Sequence, residues 1–208
     1  LRGVMSSFLT SLNTTVGRKY LMGITGLGMI GFACLHLLGN LTLLLNDGGY
    51  AFNSYAVFLH SAGELTYVME LGLAGLFGAH LVMSFFVWLE NRKAKPQKYA
   101  VKASAGGVSR KNMSSTNMIW TGAVMGLFLV LHITFFRFGA HWSVSEATTA
   151  QLIEMAKLHP EAPDLAGYVV TAFQQLPVAI FYMAVMALLF WHLRHGFWSA
   201  FQSLGVIA

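Results

Sequence analysis

The sequence predicts an all-α protein, a transmembrane helical bundle with four visible spans and short amphipathic helices on its outer face. Three observations carry that expectation. Charged residues make up only 10% of the 208-residue chain, against roughly 25% in an ordinary soluble domain. Hydrophobic residues reach 56% and mean hydropathy is +0.60. Four apolar runs are each long enough to cross a bilayer, which takes about 20 helical residues. With 13 Lys/Arg and 8 acids, the chain cannot cover a soluble surface. This balance excludes a disordered chain and a soluble Rossmann or barrel enzyme. It also excludes a nucleic-acid binder, despite the net charge of +5, because in a membrane protein such an excess records orientation.

The first run extends from about Tyr20 to Leu45 and the second from about Leu65 to Leu89. The third extends from about Met118 to Phe138, and the fourth from Pro177 to about Phe201. Each is too long and too evenly apolar for a strand, and in lipid a helix satisfies its own backbone groups. Proline suits the first turn of the fourth. The first run is too long for a cleavable signal and lacks a small-residue cleavage site. No repeats or low-complexity tracts interrupt the chain, so residues 1–208 read as a single membrane domain.

The connections sort by charge. Residues 1–19 carry Arg2, Arg18 and Lys19. Residues 90–116 carry Arg92, Lys93, Lys95, Lys98, Lys102, Arg110 and Lys111 against Glu90 alone. Residues 46–64 carry Asp47 and Glu64, and residues 139–176 carry Glu146, Glu154, Glu161 and Asp164 against Lys157. The positive-inside rule then makes the N-terminus, the 90–116 loop and the end of span four cytoplasmic. Arg194 agrees, while Arg137, at the outer end of span three, is the exception and calls for a local partner. The expected location is the inner (cytoplasmic) membrane, as a multi-pass protein. In the last outer loop, Ser143 and Glu146 fit a capping box. Ala147 to Leu158 then reads as a short amphipathic helix on the surface, and residues 165–175 read as a candidate for another.

The chain has one cysteine, Cys34. One thiol excludes an intrachain disulfide and a covalent c-type haem, and it cannot bind an iron–sulfur cluster. Gly23, Gly26, Gly28 and Gly31 lie in an apolar helix with no preceding strand, so they do not read as a phosphate loop. Gly122 and Gly126, with Ala74/Gly78 and Gly75/Ala79, are small-residue pairs that serve either close helix packing or clearance for a bulky cofactor.

Eight histidines remain. His60, His141 and His159 fall in outer connections and read as solvated or interfacial. His36, His80, His132 and His192 lie one per span, where an ionisable group is costly and points to function. They lie 16, 15, 14 and 15 residues into their runs, roughly 21–24 Å from the starting face at about 1.5 Å per residue. Spans one and three run outward and spans two and four inward. His36 and His132 therefore share an outer layer, and His80 and His192 an inner one. Two histidines at one depth on neighbouring helices can hold one haem iron from its two faces. Four unrelated histidines bonded between helices are the alternative. Bare zinc fits less well, since its ligands would sit at one depth, usually with a carboxylate or thiolate. A proton relay wants more acids than Glu70, the one acid well inside a span.

In their order along the chain, several segments now resemble a known family. They are Gly17-Arg18-Lys19, then His36-Leu-Leu-Gly39-Asn40, then Ala51-Phe52-Asn53-Ser54, then Tyr67-Val-Met-Glu70 leading to His80. Thr121-Gly122 leading to His132 follows, and then His192-Leu-Arg-His195-Gly196-Phe-Trp198-Ser199 with Gln202 and Gly205. The sequence is similar to the dihaem cytochrome b membrane subunit of succinate:quinone oxidoreductases (succinate dehydrogenase and fumarate reductase), in its single-subunit, two-haem form. The resemblance covers nearly the whole chain. The family usually carries a fifth helix after the Gly205 region, which these 208 residues do not include.

The resemblance implies that His36 and His132 ligate the distal haem b and that His80 and His192 ligate the proximal one. It also settles the choice between His192 and His195 in favour of His192. His195 is left as a propionate or quinone contact. The implied partners are a flavoprotein subunit and an iron–sulfur subunit on the cytoplasmic side. Succinate chemistry would lie on those partners, and this chain would take part in the quinone reaction of the enzyme only. Arg18, Lys19 and Arg194 are candidates to pair with the inner haem propionates, and Arg137 with the outer ones. Glu70 is the candidate proton-handling group of a quinone site, with menaquinone the quinone typical of two-haem members. Each ligand's second ring nitrogen needs an acceptor, and the expected one is the backbone carbonyl four residues earlier. A dihaem cytochrome b of a hydrogenase or formate dehydrogenase, or a non-redox transport or assembly protein, are the alternative functions.

Overall fold

A computed structural model describes Thr10 and residues 14–95, 113–138 and 164–206. Among them every regular element is helical. Helix α1 spans Thr15–Leu41 and tightens into a 3-10 turn at Thr42–Leu44. Helix α2 spans Tyr50–Ser61 and α3 spans Glu64–Lys93. The short α4 (Met113–Thr116) precedes α5 (Met118–Ile133), which widens into a π-helical turn at Thr134–Phe138. Helix α6 spans Leu165–Gln174 and α7 spans Leu176–Ser203.

Four of these stretches, Thr15–Leu44, Glu64–Lys93, Met118–Phe138 and Leu176–Ser203, are long and apolar enough to cross a membrane. The chain is a multi-pass membrane protein. Its large side chains face outward to an extent no soluble protein would tolerate: Leu71 is 73% and Trp120 71% exposed. Such contiguous apolar surface needs lipid to cover it. The first, second and fourth spans outrun their apolar runs at one or both ends, taking in Gly17-Arg18-Lys19 and Glu90–Lys93. Apolarity stops where the hydrocarbon would stop, whereas backbone hydrogen bonding continues through good helix formers such as Glu, Arg and Lys.

The chain divides into two compact units. The first comprises residues 1–31, 72–125 and 187–208, and the second residues 32–71 and 126–186. Each long helix contributes a segment to both. In the first unit, Gly23 lets α1 approach α7 closely: a Cβ there would stand 3.5 Å from the Cα of Ala200. Arg18 of α1 forms an ion pair with Glu90 of α3. Its guanidinium also lies 4.9 Å from the centre of the Phe86 ring.

In the second unit the 46–64 connection contains α2. Asp47 starts it: its carboxylate accepts from the backbone N–H of Gly49 at 3.0 Å and of Ala51 at 2.9 Å. Gly49 has φ +88°, a backbone shape that favours glycine. An added Cβ there would strike the Cβ of Ala166, 2.5 Å away. Helix α6 fulfils the expectation of a helix over 165–175. Asp164 caps it by accepting from Gly167 N–H at 2.9 Å. Asn53, 3% exposed, ties α2 to α6. Its amide donates to Asp164 at 2.9 Å, and its carbonyl oxygen accepts from Ala166 N–H at 2.9 Å. The Ser143/Glu146 capping box, the Ala147–Leu158 helix, His141 and His159 lie outside the described residues.

Candidate functional site

The sequence singles out two histidine pairs, and each pair lies inside one unit. In the first unit, His80 of α3 packs against Gly26 of α1, where a Cβ would come within 3.3 Å of the imidazole Cε1. His192 of α7 packs against Gly122 of α5 in the same way, at 3.4 Å. A threonine precedes each glycine. The Nδ1 of His80 lies 3.3 Å from the Thr25 hydroxyl and 3.2 Å from the Met22 carbonyl. The Nδ1 of His192 lies 3.1 Å from the Thr121 hydroxyl. Two Thr-Gly dipeptides on two different helices thus form matching cradles. The two imidazoles are close enough to interact electrostatically, and His195 also lies near His192.

The network around His80 assigns its tautomer. Thr25 sends its one hydroxyl proton back to its own helix, with Leu21 O at 2.8 Å and Met22 O at 3.2 Å. A carbonyl can only accept, so the bond to Met22 O at 3.2 Å requires a proton on the His80 Nδ1. The His80 Nε2 therefore carries a free lone pair, the form that binds a metal. Thr121 has Asn117 O and Met118 O of its own helix, both at 3.2 Å, to receive its proton, and its oxygen lies 3.1 Å from the Nδ1 of His192. Among the described residues neither Nε2 has a hydrogen-bond partner. The acceptors correct one expectation. They come from a threonine hydroxyl and a carbonyl of a neighbouring helix rather than from the carbonyl four residues earlier. That carbonyl already accepts its own helical N–H, and the neighbouring threonine reaches Nδ1 directly.

The second unit arranges its pair differently. The ring centres of His36 and His132 lie 5.8 Å apart with planes at 88°. Two imidazoles bound through nitrogen to one metal at about 2 Å would have centres roughly 6 Å apart, so the observed spacing suits a shared iron. Aromatic rings surround the pair. Phe32 stacks on His36 at 5.6 Å, and Phe128 and Phe136 lie 5.5 and 5.4 Å from His132. Among the described residues the polar contact to this pair is the Tyr182 hydroxyl, 3.2 Å from the Nδ1 of His132. Among the described residues no three or more His, Cys, Asp or Glu side chains gather as a bare metal site would need.

The predicted cations and acid fall into two groups. Arg137 finds a local partner: its Nε donates to Glu70 at 2.7 Å and its terminal nitrogen to the other carboxylate oxygen at 3.4 Å. Arg137 lies in the π-helical turn, and Tyr168 of α6 donates to the Phe135 carbonyl of the same turn at 3.2 Å. Arg18 is held by Glu90. Among the described residues Lys19 and Arg194 have no carboxylate partner. A cavity of about 240 Å³ beside Arg137 is lined by His60, Gly63, Thr66 and Tyr67 as well. It sits over the tight turn between α2 and α3, where Gly63 has φ +56° and Thr66 donates to Leu59 O at 2.6 Å.

Sequence reasoning missed Thr25, Tyr182 and His60. The Thr-Gly repeat was a legible signal for Thr25, since Thr121-Gly122 had already been singled out. His60 had read as merely interfacial, because nothing in sequence brings it to Arg137. The glycines also divide by role. Among the described residues Gly75 and Gly78 have no neighbour within 4 Å of an added Cβ, unlike Gly23, Gly26 and Gly122. Comparisons with protein-family models, with curated proteins and with solved structures found no match to this chain.

Proposed function

We propose that this chain is the membrane-anchoring, electron-transfer subunit of a succinate:quinone oxidoreductase. In this reading it holds two b haems and passes electrons between a soluble iron–sulfur subunit and membrane quinone. The observation that carries the proposal is the pair of Thr-Gly cradles, which hold two imidazoles from two helices by their Nδ1 atoms, with the proton of His80 fixed there by the Met22 carbonyl. Such a tautomer lock is what a metal-ligating histidine needs from its surroundings. The second pair adds support through its 5.8 Å spacing.

The residues present fit the group. His80 and His192 would hold one haem and His36 and His132 the other. Held by two imidazoles, the group would supply one-electron transfer rather than oxygen binding. The chain's own residues do the rest. Thr25, Met22 and Thr121 orient two ligands, and Met22 keeps the His80 proton on Nδ1. Gly26 and Gly122 give the imidazoles room. Lys19 and Arg194, which have no carboxylate partner among the described residues, are candidates for propionates at the first unit, and His195 is a further candidate contact.

The cavity by Arg137 suits a quinone ring. Glu70 neutralises Arg137, so the pocket has no net cationic pull on an anion, yet guanidinium, phenol and imidazole offer donors to a neutral carbonyl oxygen. Charge sidedness supports a cytoplasmic first unit, where flavoprotein and iron–sulfur partners would dock, in the inner membrane. Menaquinone is the quinone that the family resemblance suggests.

Purification of the chain with its bound subunits tests the reading. We expect a reduced-minus-oxidised α-band of b-type cytochromes at two haems per chain, with a flavoprotein and an iron–sulfur protein co-purifying. A folded preparation without haem overturns it in favour of a non-redox role. Hydrogenase or formate dehydrogenase subunits in place of the expected partners assign the cytochrome to another complex.

A further inference from the structure

The two histidine pairs differ in what holds them, and one residue accounts for the difference. We propose that Tyr182 is the positioning residue for His132, through a hydrogen bond whose direction is set by whether Nε2 holds an iron. The proposal rests on the haem reading above.

The phenol is fixed in place. Phe173 and Phe128 meet the Tyr182 ring edge-on at 4.8 and 5.3 Å, and Phe181 and Phe136 do so at 5.7 and 6.1 Å. Edge-to-face packing of this kind holds a ring in one orientation. The hydroxyl therefore stands at one point, 3.2 Å from the Nδ1 of His132. Among the described residues it has no other hydrogen-bond partner. His36 has none at all among them, so Tyr182 is the one hydrogen bond that orients either ligand of this pair.

The contrast with Thr25 and Thr121 lies in where the hydroxyl proton goes. Each threonine has carbonyls of its own helix to receive its proton, and at His80 the Met22 carbonyl also holds the imidazole proton on Nδ1. Tyr182 has no such carbonyl. Without a metal, its O–H can donate to a bare Nδ1, which puts the imidazole proton on Nε2 and blocks ligation. When Nε2 holds an iron, the neutral ring carries its proton on Nδ1, and that N–H donates to the phenol oxygen. The hydrogen bond persists in both states with opposite direction. The second pair is thus set for ligation only when loaded, whereas His80 is set in advance.

Redox titration and EPR of the Tyr182→Phe complex test this, with His36→Ala identifying the signals of the second-unit haem. Removing the acceptor leaves Nδ1–H unpaired and the imidazole less electron-donating, which weakens the ferric state more than the ferrous. We expect both haems to be retained. The midpoint potential of the second-unit haem should rise by about 59 mV, the one-electron equivalent of a tenfold change in relative affinity. Its ferric EPR signal should move while the first-unit haem keeps its own. The reciprocal variant, Thr121→Val, should shift only the first-unit haem. Unchanged potentials and spectra in Tyr182→Phe, or equal loss of both haems, overturn the role of Tyr182. A wild-type complex with no haem overturns the underlying reading instead, before any variant is compared.

Discussion

The first unit surrounds its histidines with hydroxyls and a carbonyl, and the second surrounds them with rings. His80 and His192 each lean on a Thr-Gly dipeptide of a neighbouring helix. His36 and His132 sit among Phe32, Phe128 and Phe136, with Tyr182 as the polar contact among the described residues. The same side chain is thus held in two ways. A threonine in a helix bonds back to its own carbonyls at little cost and leaves its oxygen for an imidazole, and at His80 a carbonyl fixes the imidazole proton as well. An aromatic box fixes position just as well but leaves the proton undecided. The lesson is that orientation and protonation of a histidine are separate problems, and only His80 has both solved by its surroundings.

The comparison can be broken most directly at the ligands. His80→Ala should lose the first-unit haem completely and keep the second, as counted by pyridine haemochrome and EPR. Equal loss of both would contradict the pairing. The next largest effect is expected from Thr121→Val, which removes the acceptor without changing shape. Loss of such a supporting partner typically weakens metal affinity by 10–100-fold, so haem retention at the first unit should fall under dilution or competition with apomyoglobin. Retention equal to wild type would show that the Thr-Gly cradle is mere packing.

Asn53→Ala sharpens the comparison from the structural side. It strips both the Asp164 and the Ala166 hydrogen bonds from a buried position, a cost of about 1–3 kcal/mol per group left unsatisfied. Thermal scans monitored at the second-unit haem should fall, while the first-unit signal melts as before; coincident loss of both would show that the units are not independent in stability. The smallest effect belongs to Glu70→Gln. The Arg137–Glu70 pair is nearly half exposed on both sides, so its contribution to stability is at most about 1 kcal/mol. Its larger consequence should be at the cavity, where an unneutralised Arg137 alters quinol oxidation kinetics with haem content unchanged.

Much of the fold was legible because membrane spans are the loudest signal a sequence carries. A run of about 20 apolar residues has few other uses, and all four appear as helices within a few residues of their expected bounds. The local partner that the charge rule demanded for Arg137 is Glu70, 67 positions away in sequence. Helix α2 escaped notice because its determinants are tertiary. Asp47 and Gly49 start it, but Asn53 makes sense in its middle only when α6 supplies Asp164 and Ala166. The acceptors for Nδ1 escaped for the same reason. The expected carbonyl was a local answer, and the structure uses a residue 55 or 71 positions away.

By itself, the sequence determined that the chain crosses a membrane four times and that one histidine rides in each crossing. Both follow from composition and helical rise, which are properties of single segments. Only the tertiary structure decided which nitrogen of His80 is bare, that Arg137 answers Glu70, and that His60 faces a cavity. Those are properties of pairs of segments, and a hydrogen bond between helices depends on rotation about each axis, which apolar runs alone do not set.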